Sequence, residues 1–304
     1  MTSTLRDRST IDAMRQPEKE VRSLDYTGKV KTVILDWSGT TADIHVIAPA
    51  KVFYDVFEKH GVPITMAQAR LPMGLRKDLH IGKILEIPEV RRLWMATKGE
   101  DPVDETGRSK QEVIDVLFAD FVPMQLACLG DYTGLIEGVA ELTASLQASG
   151  ITLGSTTGFT KEMVDVLLAD AEKQGYKPDV SVAGDEVKNN MGFRPAPFMV
   201  YENLVQLGTF PIQSVIKVDD TVGGVGEGRS AGCWSVAVRK YSNYTDIDTV
   251  EQWNSMTEDE KAERVQRSDD KLRTSGAHYI IDTINDLPLV IEDVNPRLEA
   301  GERP

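Results

Sequence analysis

Five short apolar runs, separated by segments of helical period, constrain this chain more than any other feature. They are Val33 to Leu35, Ile151 to Gly154, Val180 to Ala183, Val215 to Val218 and Trp234 to Val238. Between them, apolar residues recur at three- and four-residue spacing, as in Val139, Leu142 and Leu146 or Met163, Val166 and Leu167. Strands alternating with helices need crossover connections, and such crossovers are right-handed. The pattern therefore predicts an α/β fold, a doubly wound parallel sheet with helices on both faces. One stretch breaks it. From about residue 48 to 130 only helical patterns occur: Val52, Phe53, Val56 and Phe57, then Ile81, Ile84 and Leu85, then Val113, Ile114, Leu117 and Phe118. Gly99 to Ser109, with Pro102 and Gly107, reads as a loop within this stretch. We expect a helical cap domain over residues 48–130, a core of residues 29–47 and 131–304, and a polar extension over residues 1–28. Ligands of open α/β sheets bind beyond the carboxyl ends of the strands, and a cap placed there excludes water.

Charge and composition limit the partners. With 34 basic and 48 acidic residues the net charge is −14, which disfavours nucleic acid and anionic membrane. An anionic substrate would need its own local cations. No apolar run approaches the roughly 18 residues of a membrane span. The first 28 residues mix both charges with no apolar core, so they are not expected to be a secretory signal. Cys128 and Cys233 lack metal-ligand spacing and predict a reducing, cytoplasmic setting.

Four groups of reactive residues fall where apolar runs stop or loops begin. Asp36-Trp37-Ser38-Gly39-Thr40-Thr41 puts a carboxylate at a strand end beside a glycine turn. Gly154-Ser155-Thr156-Thr157-Gly158 offers hydroxyls and amides suited to phosphate. Arg194-Pro195 supplies a guanidinium, a shape that grips oxyanions in pairs. Lys217-Val218-Asp219-Asp220-Thr221 offers adjacent carboxylates, a hard oxygen site for Mg²⁺. Each has an ordinary reading alone: a turn cap, a helix cap, a surface arginine, an acidic turn. Acid, hydroxyl, cation and acid in sequence along one sheet edge carry more weight than any of the four.

This order resembles the motif series of the haloacid dehalogenase superfamily, whose Rossmannoid core would be the doubly wound sheet. The string Pro72-Met73-Gly74-Leu75-Arg76-Lys77-Asp78-Leu79-His80 inside the cap, preceded by Arg70 and Leu71, resembles its phosphonoacetaldehyde hydrolase (phosphonatase) family more specifically. The similarity covers about residues 31 to 290. It implies Asp36 as the nucleophile that accepts phosphorus and Lys77 as a Schiff-base lysine, with Met73, Gly74 and His80 around it. It implies Thr157 and Arg194 as holders of the phosphoryl oxygens, and Asp36, Asp220 and the Ser38 carbonyl as ligands of Mg²⁺. Family members commonly pair through cap helices, so a homodimer is expected by resemblance.

The chemistry suits these residue types. Superfamily phosphatases usually place a second Asp two positions after the nucleophile, to protonate an alkoxide. Ser38 stands there and cannot supply that proton. Breaking a P–C bond would expel a carbanion, and an imine formed by Lys77 with the neighbouring aldehyde would receive its electron pair. His80, three residues on, would share a helical face and relay protons. The sequence departs from the family in several places. Asp219 stands where Gly is usual, and Gly224 where a second Asp is usual. Asp219 is read as a partial replacement for that acid, although neighbours in a strand point apart. Phe159 replaces a common Tyr, Val46 a common Cys, and an extra residue or two precedes Arg194. The expected activity is Mg²⁺-dependent hydrolysis of a small phosphonate. The rivals are a superfamily phosphatase acting on a small phosphate ester and a degenerate phosphometabolite-binding protein.

Overall fold

The structure, a computed structural model, describes residues 26–188, 191 and 193–304. Most of the expected polar extension thus lies outside the described residues. The sheet has six parallel strands: β1 (Thr32–Leu35), β2 (Thr152–Thr156), β3 (Val180–Val182), β4 (Val215–Asp219), β5 (Trp234–Val238) and β6 (Tyr279–Ile281). Their order across the sheet is β3-β2-β1-β4-β5-β6. The chain thus winds one way from β1 to β3 and the other from β4 to β6, a doubly wound α/β core. β1, β4 and β5 are buried at every position. Parallel strands covered on both faces take near-continuous apolar sequence, which is why those runs stood out. β6, unforeseen, is three residues at the sheet edge and only half buried.

Order reversal between β1 and β4 fixes where a ligand can sit. Leu35 pairs in register with Ser155 on β2 and with Val218 on β4. Asp36, Thr156 and Asp219 consequently emerge side by side at one edge.

Residues 47–129 hold only helices, joined by turns: α1 (Ile47–Lys59), α2 (Met66–Arg70), α3 (Lys77–Leu85), α4 (Pro88–Lys98) and α5 (Gln111–Leu129). Local sequence sets several of their ends. Thr65 and Gln68 form a reciprocal cap on α2, and Pro88 opens α4, which stops at left-handed Gly99. The loop after Gly99 turns on Asp104, whose carboxylate accepts from the Thr106 and Arg108 amides at 2.8 and 3.1 Å. α5 is long and apolar enough to cross a membrane by length and composition. In this fold its Val113, Ile114, Leu117 and Phe121 are buried, and α5 packs on α1 and α3. Phe53 of α1 stacks on Phe121 with ring centres 4.5 Å apart. These residues join Val33, Leu35 and Val218 in one continuous apolar cluster. Burying each such side chain contributes about 1.5–3 kcal/mol.

The remaining helices cover the sheet: α6 (Val139–Ala148), α7 (Lys161–Lys173), α8 (Phe198–Leu207), α9 (Val222–Ala231), α10 (Val250–Ser255), α11 (Glu258–Leu272) and α12 (Leu287–Glu299). α9 lies against both β4 and β5, so the turn after β4 is clamped between sheet and helix.

Candidate active site

Asp36 follows β1 directly, its amide donating to the Val218 carbonyl at 3.0 Å, so the sheet's own ladder fixes it. The turn behind it is closed by the Thr41 hydroxyl, which donates to the Asp36 carbonyl at 3.0 Å. Trp37 beneath is anchored by its indole N–H to the Ser155 hydroxyl at 3.1 Å. Asp36 itself is 6% exposed.

Arg194, from the segment before α8, reaches across this edge and is also buried. Its Nη2 donates to Asp36 Oδ1 at 2.7 Å and to Thr156 Oγ1 at 2.9 Å, and stands 3.2 Å from Asp219 Oδ2. Its Nε donates to Glu227 Oε2 at 3.0 Å. Lys217, on β4, donates from Nζ to Asp219 Oδ2 at 2.7 Å. Asp220 accepts from the Asn243 amide at 2.8 Å. A guanidinium pinned by several carboxylates has one orientation, which is what oxyanion recognition requires.

Carboxylate oxygens of Asp36, Asp219 and Asp220 lie within 4.8 Å of one another. Burial, and next the Asp219 charge, push Asp36 up to about 6. Burial likewise pushes Asp220 well above the usual carboxylate range, with Asp219 and Asp36 adding to it. Burial also works against Asp219, but Arg194 and then Lys217 outweigh it and hold it low. Three acids share one buried point, and Asp36 and Asp220 resist ionisation there without further positive charge. Oxygen donors short of a cation fit a hard divalent ion such as Mg²⁺.

The helical segment closes the site from above. Lys77, the first residue of α3, is 5% exposed and its Nζ lies 4.6 Å from the Phe159 ring centre and 5.7 Å from that of Phe53. Burial lowers its pKa to about 8, against a partial pull upward from Asp36. Gly74, with φ +95°, brings backbone so near the core that a Cβ there would stand 2.7 Å from Thr221 Oγ1. Asp36, Ser38, Met73, Gly74, Lys77, Thr157, Arg194 and Asp220 line one small cavity of about 20 Å³. That is room for a single water. Beyond Lys77 and Phe159 lies a larger cavity of about 310 Å³, lined also by Arg76, Phe118 and Asp185.

Of the site residues read from the sequence, all but His80 face the small cavity. His80 is fully buried, its ring 3.7 Å from that of Phe53 and its Nε2 2.7 Å from the Ala69 carbonyl. Burial, and then the Lys77 charge, hold it well below its usual pKa, so it is neutral. Its Nδ1 has no hydrogen-bond partner. Three participants were not foreseen. Glu227 and Lys217 brace Arg194 and Asp219, and Phe53 stands near Lys77 and stacks on His80. Glu227 had one faint signal, a charge on a glycine-rich helix three residues after Gly224 and so on the same face. Arg70, quoted only as the start of the string, is buried. It donates to the His45 carbonyl at 2.8 Å and to Asn243 Oδ1 at 3.3 Å, and bonds the Ile247 carbonyl.

No family model matches the chain. It is 38% identical over 278 residues to a phosphonoacetaldehyde hydrolase of Klebsiella pneumoniae subsp. pneumoniae, covering 91% of this chain and 99% of that protein. It is 34% identical over 284 residues to a phosphonoacetaldehyde hydrolase of Syntrophobacter fumaroxidans, covering 93% and 99%. Among solved structures, a phosphonoacetaldehyde hydrolase like protein from Oleispira antarctica superposes with a TM-score of 0.86 at 36% identity, covering 92% of this chain and 98% of that one. A β-phosphoglucomutase from Clostridium difficile, at 17% identity and a TM-score of 0.60 over 88% of this chain and 97% of that one, shares the fold.

Proposed function

We propose, because the chain belongs to the phosphonoacetaldehyde hydrolase family, that it hydrolyses the carbon–phosphorus bond of phosphonoacetaldehyde to acetaldehyde and phosphate. The observation that carries the mechanism is the burial of Lys77 beside Asp36 in the lining of one small cavity. An amine at about 8 keeps a working fraction uncharged near neutral pH.

The neutral Lys77 amine adds to the aldehyde carbon and water leaves, giving a protonated imine. Asp36 then attacks phosphorus in line. The electron pair of the breaking P–C bond moves into the imine, so the carbon fragment departs as an enamine rather than a carbanion. Protonation of the enamine carbon and hydrolysis of the resulting imine release acetaldehyde and free Lys77. A second water cleaves the aspartyl phosphate and restores Asp36. Arg194 and Thr157 orient the phosphoryl oxygens through these steps. The proton relay expected of His80 is not part of this reading: stacked on Phe53, away from the cavity and held well below its usual pKa by burial and the Lys77 charge, it packs behind Lys77 as a neutral ring. Asp36, Asp220 and the Ser38 carbonyl would hold Mg²⁺, which when bound offsets the repulsion between the Asp36 carboxylate and the phosphonate. Ser38, at the place of a leaving-group acid, suits a reaction with no alkoxide to protonate.

The test is phosphate release from phosphonoacetaldehyde with and without Mg²⁺, combined with borohydride reduction in the presence of substrate. The expected result is metal-dependent release and added mass at Lys77. Full turnover by Lys77→Arg would remove the Schiff-base role. Turnover of a generic phosphomonoester that ignores Lys77 would point to an ordinary phosphatase instead.

A further inference from the structure

Lys77 and Phe159 belong to the walls of two cavities. On one side Asp36, Thr157, Arg194 and Asp220 surround the space of about 20 Å³. On the other lies the space of about 310 Å³, which touches none of those four and is walled by Phe118 and Val187. The reaction given above uses the first side alone.

Most of the polar lining of the larger cavity is already engaged within the protein. Arg76 donates from Nε and Nη2 to the two oxygens of Asp78, at 2.7 and 2.8 Å, so these charges answer one another. Asp185 accepts from the Lys161 amide at 2.8 Å and is exposed to water. The surfaces left to hold a ligand are two phenyl rings and a valine, which suit hydrocarbon.

The chemistry at Lys77 says where that hydrocarbon would be attached. A carbonyl carbon turning into an imine is trigonal. One bond goes to Lys77 Nζ, one to the methylene that carries phosphorus, and one to the remaining substituent. With phosphorus held at Asp36, the third bond points away from the acids. In phosphonoacetaldehyde it carries only hydrogen. Of the two spaces that Lys77 adjoins, the larger is the one that can take a carbon chain at that position.

We propose, resting on the Schiff-base role of Lys77 given above, that the enzyme also hydrolyses 2-oxoalkylphosphonates. In these β-keto phosphonates a short alkyl group replaces the aldehyde hydrogen, and it lodges between Phe118, Phe159 and Val187. The ketone condenses with the Lys77 amine and loses water. As Asp36 takes phosphorus, the P–C electron pair passes into the protonated imine, and the enamine so formed gains a proton at carbon. One water releases the methyl ketone from Lys77, and a second cleaves the aspartyl phosphate. Overall one water is consumed, its hydrogens shared between the new methyl group and phosphate.

The experiment measures phosphate release with saturating Mg²⁺ from phosphonoacetaldehyde and from 2-oxopropyl-, 2-oxobutyl- and 2-oxopentylphosphonate. Wild type, Lys77→Arg and Val187→Trp are compared. Wild type should release phosphate and the matching methyl ketone from all three ketones, with KM falling about fourfold for each added methylene. Lys77→Arg should lose this activity. Val187→Trp fills the cavity and should lower the ratio of kcat/KM for 2-oxopentylphosphonate to that for phosphonoacetaldehyde at least about tenfold. Turnover of phosphonoacetaldehyde but of no ketone, or a KM that does not fall with chain length, would overturn the inference and leave the proposed function standing. Equal losses on all four substrates in Val187→Trp would make the cavity a passage rather than a binding site, and would overturn it too. The wild-type series decides alone if Val187→Trp does not fold. No release from phosphonoacetaldehyde itself would refute the proposed function instead.

Discussion

Titrating Lys77 tests the proposed reaction at its most exposed point. An ordinary lysine at 10.5 has roughly one amine in three thousand uncharged at pH 7, whereas one at about 8 has roughly one in eleven. Burial thus raises the reactive fraction about 300-fold. The initial rate of reductive trapping by cyanoborohydride, read as mass on the Lys77 peptide, should climb about tenfold per pH unit up to pH 7 and level off above pH 9. A short lysine peptide treated alongside is the reference, and its labelling should still be rising at pH 10. The sign can be checked with Asp36→Asn. Asp36 favours the charged amine, so its loss should move the Lys77 midpoint below 8. A Lys77 profile that tracks the reference peptide, or a midpoint that rises in Asp36→Asn, would refute the desolvation argument.

The same structure predicts other responses. Asp36→Asn should reduce kcat/KM by at least about a thousandfold in the phosphate-release assay, because it deletes the phosphorus acceptor. Mg²⁺ binding should release protons near pH 6 and fewer at pH 8, since Asp36 is held at about 6 until a cation arrives; calorimetry in buffers of different ionisation enthalpy reads this directly. Gly74→Ala forces a side chain into left-handed backbone and against Thr221, and should cost about 1–2 kcal/mol by denaturant unfolding and reduce activity. Phe121→Ala removes the ring that backs Phe53, and should cost about 3–5 kcal/mol by urea denaturation.

Much of this was legible in the sequence because the sheet edge writes itself linearly. A buried parallel strand must be apolar throughout, so the place where it stops is conspicuous; Asp36 and the Asp219–Asp220 pair were singled out that way, whereas the roles of Thr157 and Arg194 and the metal role of Asp220 came from resemblance. The cap string gave Lys77, Met73 and Gly74 by resemblance alone. β6 was invisible because a three-residue edge strand, half exposed, carries neither a long apolar run nor a clear alternation. Glu227 was missed because a charge in a helix is ordinarily solvated, and only the fold buries it under Arg194. His80 was placed on the Lys77 side of α3 by spacing, but spacing cannot say that its ring stacks on Phe53, from another helix, and stays out of the cavity.

Asn243 binds Asp220 through its backbone amide and holds Arg70 with its side chain, whose Nδ2 also donates to the Arg70 carbonyl at 3.2 Å. The turn that carries Lys77 begins a few residues after that arginine, so one asparagine ties the floor of the site to its roof. Removing its side chain would therefore cut two hydrogen bonds to Arg70 while leaving the backbone bond to Asp220 in place, so the acidic floor and the segment that leads to Lys77 can be uncoupled at one position.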